Sequence, residues 1–86
     1  MTYFSKTEFK KLSINDRYKA LKRDGEHIAA RLQGVHSIHL FSYHNFYVEV
    51  WIVMSLNQIH WIEVQENTSI INTYADQVDI KKDLGL

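Results

Sequence analysis

Phe46-Tyr47-Val48-Glu49-Val50-Trp51-Ile52-Val53-Met54 is the stretch that decides the fold. β-Branched and aromatic residues crowd it, as a pleated, half-buried strand requires. Its longest uninterrupted apolar run, Val50 to Met54, is far short of the ~20 residues that cross a bilayer. Working outward, His44-Asn45 fits a two-residue turn, since Asn tolerates positive φ. Before it, Val35–Tyr43 is a second strand of the same composition. After it, Ser55-Leu56-Asn57-Gln58 is a turn and Ile59–Gln65 a third strand. Short reversals between strands make an antiparallel meander.

Upstream, Ile28, Ala30 and Leu32 alternate, and a turn at Gln33-Gly34 would make Glu26–Leu32 a fourth strand of a hairpin. The helical alternative stays open, because Ile14, Tyr18, Leu21, Gly25, Ile28 and Leu32 also step by four and three. From Thr7 to Asp24 the chain reads as helix, with Phe9, Leu12, Tyr18 and Leu21 at helical spacing. Ser13 followed by Asp16 predicts a cap that splits this segment at Leu12–Ser13. Gly25 stands where a left-handed C-terminal cap would go. Downstream, Asn67 or Thr68 caps a short helix with Ile70, Ile71 and Tyr74 facing inward. Val78, Ile80 and Leu84 then dock a tail. The predicted architecture is α+β: an N-terminal helical segment, an antiparallel meander of three to four strands and a short C-terminal helix. Residues 1–86 read as one small domain, for no repeat or Pro/Gly/Ser linker divides them.

If every reversal has an even length, pairing follows by arithmetic and each strand's faces are set. One face then collects Ile28, Ala30, Leu32, Val35, Phe41, Phe46, Val48, Val50, Ile52, Met54, Ile59 and Trp61, with His39 and Glu63 as intruders. It is predicted to be the core, under the N-terminal helix. The reverse face is mixed, apolar at its centre and titratable around it. Its predicted rows are His27, Leu40, Glu49 and Val64; then Ala29, Ile38, Trp51 and Ile62; then Arg31, His36, Val53 and His60. Exposed apolar patches of several hundred Å² mark interfaces, so this face is the predicted contact surface.

The candidate binding residues lie on it: Arg31, His36, Tyr47, Glu49, Trp51 and His60. Glu49, flanked by apolar neighbours, is either an acid–base group of raised pKa or a carboxylate satisfied by His27, Tyr47 or a helix Lys. Arg31 suits a carboxylate or phosphate, a structural ion pair, or stacking on Trp51. The five histidines do not read as a metal site. His36 and His60 fall two strands apart, roughly 9–10 Å by strand spacing, with Val53 between them. No H-E-x-x-H pair, P-loop, dinucleotide motif or nucleophile elbow occurs. No catalytic residue, metal or cofactor is assigned, and the balance leans away from an enzyme.

Ten Lys+Arg offset ten Asp+Glu, so the formal net charge is zero. Without a positive field, nucleic acid and anionic membrane are not expected partners, and near-zero charge favours self-association. The absence of cysteine excludes disulfides, zinc fingers and thiol nucleophiles. Met1–Lys6 lacks the charged start and apolar middle of a secretory signal, so a cytoplasmic location is expected.

Gly25-Glu26-His27-Ile28-Ala29-Ala30-Arg31, then Ser37-Ile38-His39-Leu40-Phe41, then Phe46-Tyr47-Val48-Glu49-Val50-Trp51 resembles a group of small uncharacterised bacterial proteins. These share a Gly-x-x-aliphatic-x-x-Arg segment, a Leu-aromatic pair and an aromatic-Val-Glu-Val-Trp/Tyr strand. The resemblance spans roughly Ser13 to Tyr74 and departs at Phe41, where Tyr is the pattern. It implies a stand-alone domain and points to Arg31, Glu49 and Trp51, with no activity or ligand attached. The expected function is a non-enzymatic module that forms a homodimer or docks another protein through the mixed face, with edge-strand pairing as a second route. The alternative is a small-ligand site around Arg31, Glu49 and Trp51.

Overall fold

Ser5 and Ser13 each start a helix. In the computed structural model, which describes residues 3–74, α1 spans Lys6–Lys11 and α2 spans Ile14–Asp24. The Ser5 hydroxyl accepts from Glu8 N at 3.1 Å, and the Glu8 carboxylate accepts from Ser5 N at 2.8 Å. This reciprocal cap satisfies two otherwise orphaned donors. Ser13 does half of the same, accepting from Asp16 N at 3.1 Å. The predicted break falls at Leu12, whose backbone is extended.

Gly25 is not the left-handed cap that its position suggested; its backbone is extended, with φ −91° and ψ 164°. Space is what requires glycine there. A Cβ would stand 2.8 Å from the Leu21 carbonyl oxygen, so only a bare backbone lets α2 pass directly into the sheet.

Residues 26–33 are extended, which removes the helical alternative. The strands are β1 (Glu26–Gln33), β2 (His36–Tyr43), β3 (Phe46–Val53) and β4 (Gln58–Gln65). They form an antiparallel sheet in the order β1-β2-β3-β4. The tight turns place positive φ on Gly34, on His44 rather than Asn45, and on Asn57.

Between β2 and β3 the pairing is the predicted one: Leu40 with Glu49, Ile38 with Trp51, His36 with Val53. Between β3 and β4 it changes within the strand. Ile52 pairs with Ile59, yet Trp51 pairs with Trp61, so His60 is an extra residue. A bulge of this kind reverses every side chain beyond it. Ile62 and Val64 therefore join Val50 and Val48, and Trp61 and Glu63 cross to the reverse face, the opposite of the parity prediction. A second irregularity, between His27 and Ala29, sets His27 opposite Phe41 and takes it off the predicted reverse face.

Phe9, Ala20 and Leu21 from the helices pack with Tyr43, Phe46, Val48, Val50 and Ile62 in one buried cluster. Tyr43 is fully buried there, its ring centroid 5.4 Å from Phe9 and 5.3 Å from Phe46, and its hydroxyl accepts from Phe4 N at 2.9 Å. The helices cover only part of this face. Ile28, Leu32, Val35 and Met54, all predicted as core, are exposed, with Leu32 at 73% and Val35 at 63%, and so is Trp61, also predicted as core, on the reverse face.

Residues 68–74 are helical (α3). Asn67 caps them, its side-chain oxygen accepting from Ser69 N at 2.9 Å and Ile70 N at 3.3 Å. Ile70 and Ile71 are half-buried and Tyr74 is buried. Ile38, Leu40 and Glu49 at the centre of the reverse face are also buried, so that centre is not an open surface. The predicted docking of Val78, Ile80 and Leu84 lies outside the described residues. Among the described residues no helix is long and apolar enough to cross a membrane.

Candidate functional site

Alternation along β3 sends Glu49 and Trp51 to the reverse face, and the neighbouring strands and α3 decide what meets them. Glu49 is fully buried. It accepts from the Tyr74 hydroxyl, from Gln65 Nε2 at 2.8 Å and from Arg31 at 3.2 Å. The Arg31 guanidinium is divided three ways, its Nε donating to the Tyr74 hydroxyl oxygen at 3.0 Å and another nitrogen to Gln33 at 2.7 Å. Burial opposes the charge on Arg31, but the bonds to Tyr74 and Glu49 outweigh it and raise the pKa. Burial, and then the bond to Glu49, push the Tyr74 phenol far above its ordinary range.

One acidic side chain thus ties β1, β3, β4 and α3 together. A buried carboxylate in contact with three donors is a satisfied one. Its bonded partners are Arg31, Gln65 and Tyr74, not the His27, Tyr47 or helix Lys expected from the sequence. Parity places Gln65 on the other face, and only the bulge in β4 brings it to Glu49. Tyr47 is exposed and takes no part in these bonds.

A second centre adjoins the first. His36, Trp51, His60, Trp61 and Glu63 line an open recess of about 290 Å³. The imidazoles of His36 and His60 stack at 5.0 Å and 11°, with His36 Nε2 and His60 Nδ1 2.9 Å apart. The predicted 9–10 Å separation across Val53 is thus closed by the side chains, with His60 sitting in the bulge. The Trp51 ring stands edge-on to His36 at 5.3 Å, and Trp61 Nε1 donates to Glu63 at 3.3 Å. The Arg31 guanidinium lies 5.9 Å from the Trp51 ring, which links the two centres.

No family model, curated protein or solved structure matches this chain. What the site does therefore rests on its geometry. Glu49 is closed off from any substrate, and acid–base work needs a reachable proton. The recess is open, aromatic and bordered by one carboxylate.

A second histidine pair lies on the helix side. His27 Nε2 and His39 Nδ1 are 2.9 Å apart, and His39 Nε2 is 3.3 Å from Ser37 Oγ. Burial first, and the neighbouring His27 second, lower the His39 pKa below its ordinary 6.5. The unfolded chain thus takes up a proton at higher pH than the native one. Its contribution is intact above pH 6.5 and is lost as pH falls below it. Urea midpoints will therefore decline from pH 7.5 to pH 5.5, and His39→Gln will flatten that decline. An equally steep decline in the variant would show that other groups control it.

Proposed function

We propose that this protein is a small non-enzymatic interaction module that self-associates through β1 and the apolar residues beside it. One observation carries the proposal: the two edges of the sheet differ. At β4, the Arg17 guanidinium bonds the carbonyl oxygens of Ile62 and Lys10 and lies 5.2 Å from the Trp61 ring. Lys6 and Lys10 meet Glu66 just beyond the strand. Side chains that occupy an edge in this way block further pairing. No residue of β1 is buried, and Ile28, Leu32 and Val35 stand exposed on it or at its end.

The sequence of β1 suits a two-fold axis. In an antiparallel pair centred on Leu32, within the regular stretch beyond the irregularity at Ile28, the exposed Leu32 side chains of the two copies lie opposite one another. Small side chains at Ala29 and Ala30 let the strands approach. Zero net charge places no repulsion between the copies. The contact surface thereby moves from the mixed face, whose centre is covered, to the edge and the uncovered end of the helix side. A ligand site around Arg31, Glu49 and Trp51 has less support, because the Glu49 carboxylate is shut in by its own partners.

Sedimentation velocity across micromolar concentrations will show a mass that rises with concentration. Leu32→Lys, at a position already open to water, will shift the particle to monomer with an unchanged circular dichroism spectrum. A concentration-independent monomer, or a dimer indifferent to Leu32→Lys, removes the proposal.

A further inference from the structure

We infer that His36 and His60 form a chelating site for a divalent transition metal, with Cu²⁺ and Ni²⁺ preferred over Zn²⁺. This inference is independent of self-association through β1.

Three observations support it. The first is spacing. Metal–imidazole bonds are about 2.0–2.1 Å long. Two such bonds at the right angle of a square-planar or tetragonal ion put the nitrogens about 2.8–3.0 Å apart. A tetrahedral ion asks for about 3.3 Å. His36 Nε2 and His60 Nδ1 stand 2.9 Å apart, the length of the hydrogen bond between them, so both nitrogens already lie within reach of one ion, and the rise in affinity from Ni²⁺ to Cu²⁺ at nitrogen ligands sets the preference.

The second is freedom to ligate. His60 is exposed and His36 is half-buried at the mouth of the recess. Turning the two rings would aim both lone pairs at one ion. The bond it breaks links two imidazoles, and coordination by both nitrogens replaces it. The strand positions holding the rings apart by the right amount are built into the sheet, since His36 sits in β2 and the bulge in β4 presents His60.

The third is charge and room. Among the described residues, Glu63 is the only formally charged one lining the recess, whose 290 Å³ leaves space for the ion's waters. Among the described residues no three His, Cys, Asp or Glu converge on one point, so water supplies the remaining ligands. Such a site holds its ion exchangeably. It fits capture or sensing of a metal rather than a permanent structural role. The charged and titratable groups near the pair are Glu63 on β4, Arg31 on β1 and Arg17 on α2. Arg31 is bonded to Glu49, and Arg17 to backbone carbonyls.

The His27–His39 pair has the same 2.9 Å spacing, but His39 also meets Ser37 and packs beside Phe41's neighbour His27. It therefore serves as the internal comparison. Trp51 and Trp61 line the His36–His60 recess, so a bound Cu²⁺ ion will quench tryptophan fluorescence there.

The test is a CuCl₂ titration of the full chain in non-coordinating buffer at neutral pH, followed by tryptophan quenching and calorimetry. One equivalent will bind with quenching. His60→Gln and His36→Gln will each weaken that event at least about tenfold, while His27→Gln leaves it in place. NiCl₂ will compete better than ZnCl₂. Acidifying to pH 5.5 will weaken binding, because only neutral imidazole ligates. Circular dichroism confirms that the variants fold; His60 is exposed, so its loss leaves the core intact. Quenching unchanged in His60→Gln, or weakened as much by His27→Gln, overturns the inference. So does zinc binding more tightly than nickel.

Discussion

Replacing Arg31 with Leu will lower stability by about 3–5 kcal/mol, the usual cost of stripping one partner from a buried ion pair. Glu49 is fully buried and the Arg31 side chain is 17% exposed, so little water can step in when the guanidinium goes. The carboxylate would keep only Gln65 and the Tyr74 hydroxyl, and that hydroxyl would lose its own donor from Arg31. Adding Glu49→Gln to the Arg31→Leu background removes the stranded charge at nearly constant shape. It will restore a large part of the loss. Guanidinium unfolding of the single and double variants measures this as a coupling energy. An Arg31→Leu protein within about 1 kcal/mol of the parent would mean that Glu49 does not depend on Arg31. The clasp joining β1, β3, β4 and α3 would then be a description of geometry alone.

Phe9→Ala will be comparably severe. Phe9 is fully buried where α1 meets the sheet, with ring contacts to Tyr43 and Phe46 at 5.4 and 5.7 Å. Truncating a buried Phe costs about 3–5 kcal/mol in lost burial and residual cavity. At roughly 4–8 °C per kcal/mol for a domain of this size, the melting temperature will fall by at least about 12 °C. Tyr18→Ala is the control. It has the same helical periodicity in the sequence as Phe9, but Tyr18 is exposed, and its loss will change stability by no more than about 0.5 kcal/mol. Equal effects at the two positions would mean that α1 is not a main support of the core. Thermal denaturation followed by circular dichroism separates the outcomes.

These two contrasts also mark what could be read in advance. Hydrophobic spacing places Phe9 and Tyr18 on one helical stripe; the Ser13 cap predicts the break at Leu12, but not how α2 turns beyond it. The break rotates α2 relative to α1 and leaves Tyr18 in water. Glu49 stood out as a carboxylate inside an apolar strand, and its neighbour Trp51 followed by alternation. Its partners come from residues 16 to 25 positions further on and 18 before it, and no local pattern connects them. Arg31 was singled out with it, whereas Gln65 was invisible until the bulge was known.

His36 and His60 show the same limit from the other side. Both were assigned to the reverse face, and both are there. Their contact depends on how far two rings reach over β3, and strand spacing alone counted them too far apart. Trp61 and Glu63 belong to the same recess because the extra residue at His60 reverses the strand's parity.

By itself the sequence determined most of the elements: capped helices, three strands joined by short reversals, and the pairing of β2 with β3; whether residues 26–32 were strand or helix it left open. Those features depend on local chemistry, on hydroxyl caps, β-branched runs and turn residues with positive φ, and local chemistry is written in consecutive letters. Only the tertiary structure decided which face β4 shows beyond His60, what covers Glu49, and which edge of the sheet is left open. A bulge adds one residue to a ladder without any required letter, and a side chain such as Arg17 or Tyr74 chooses its partner by where the chain returns in space.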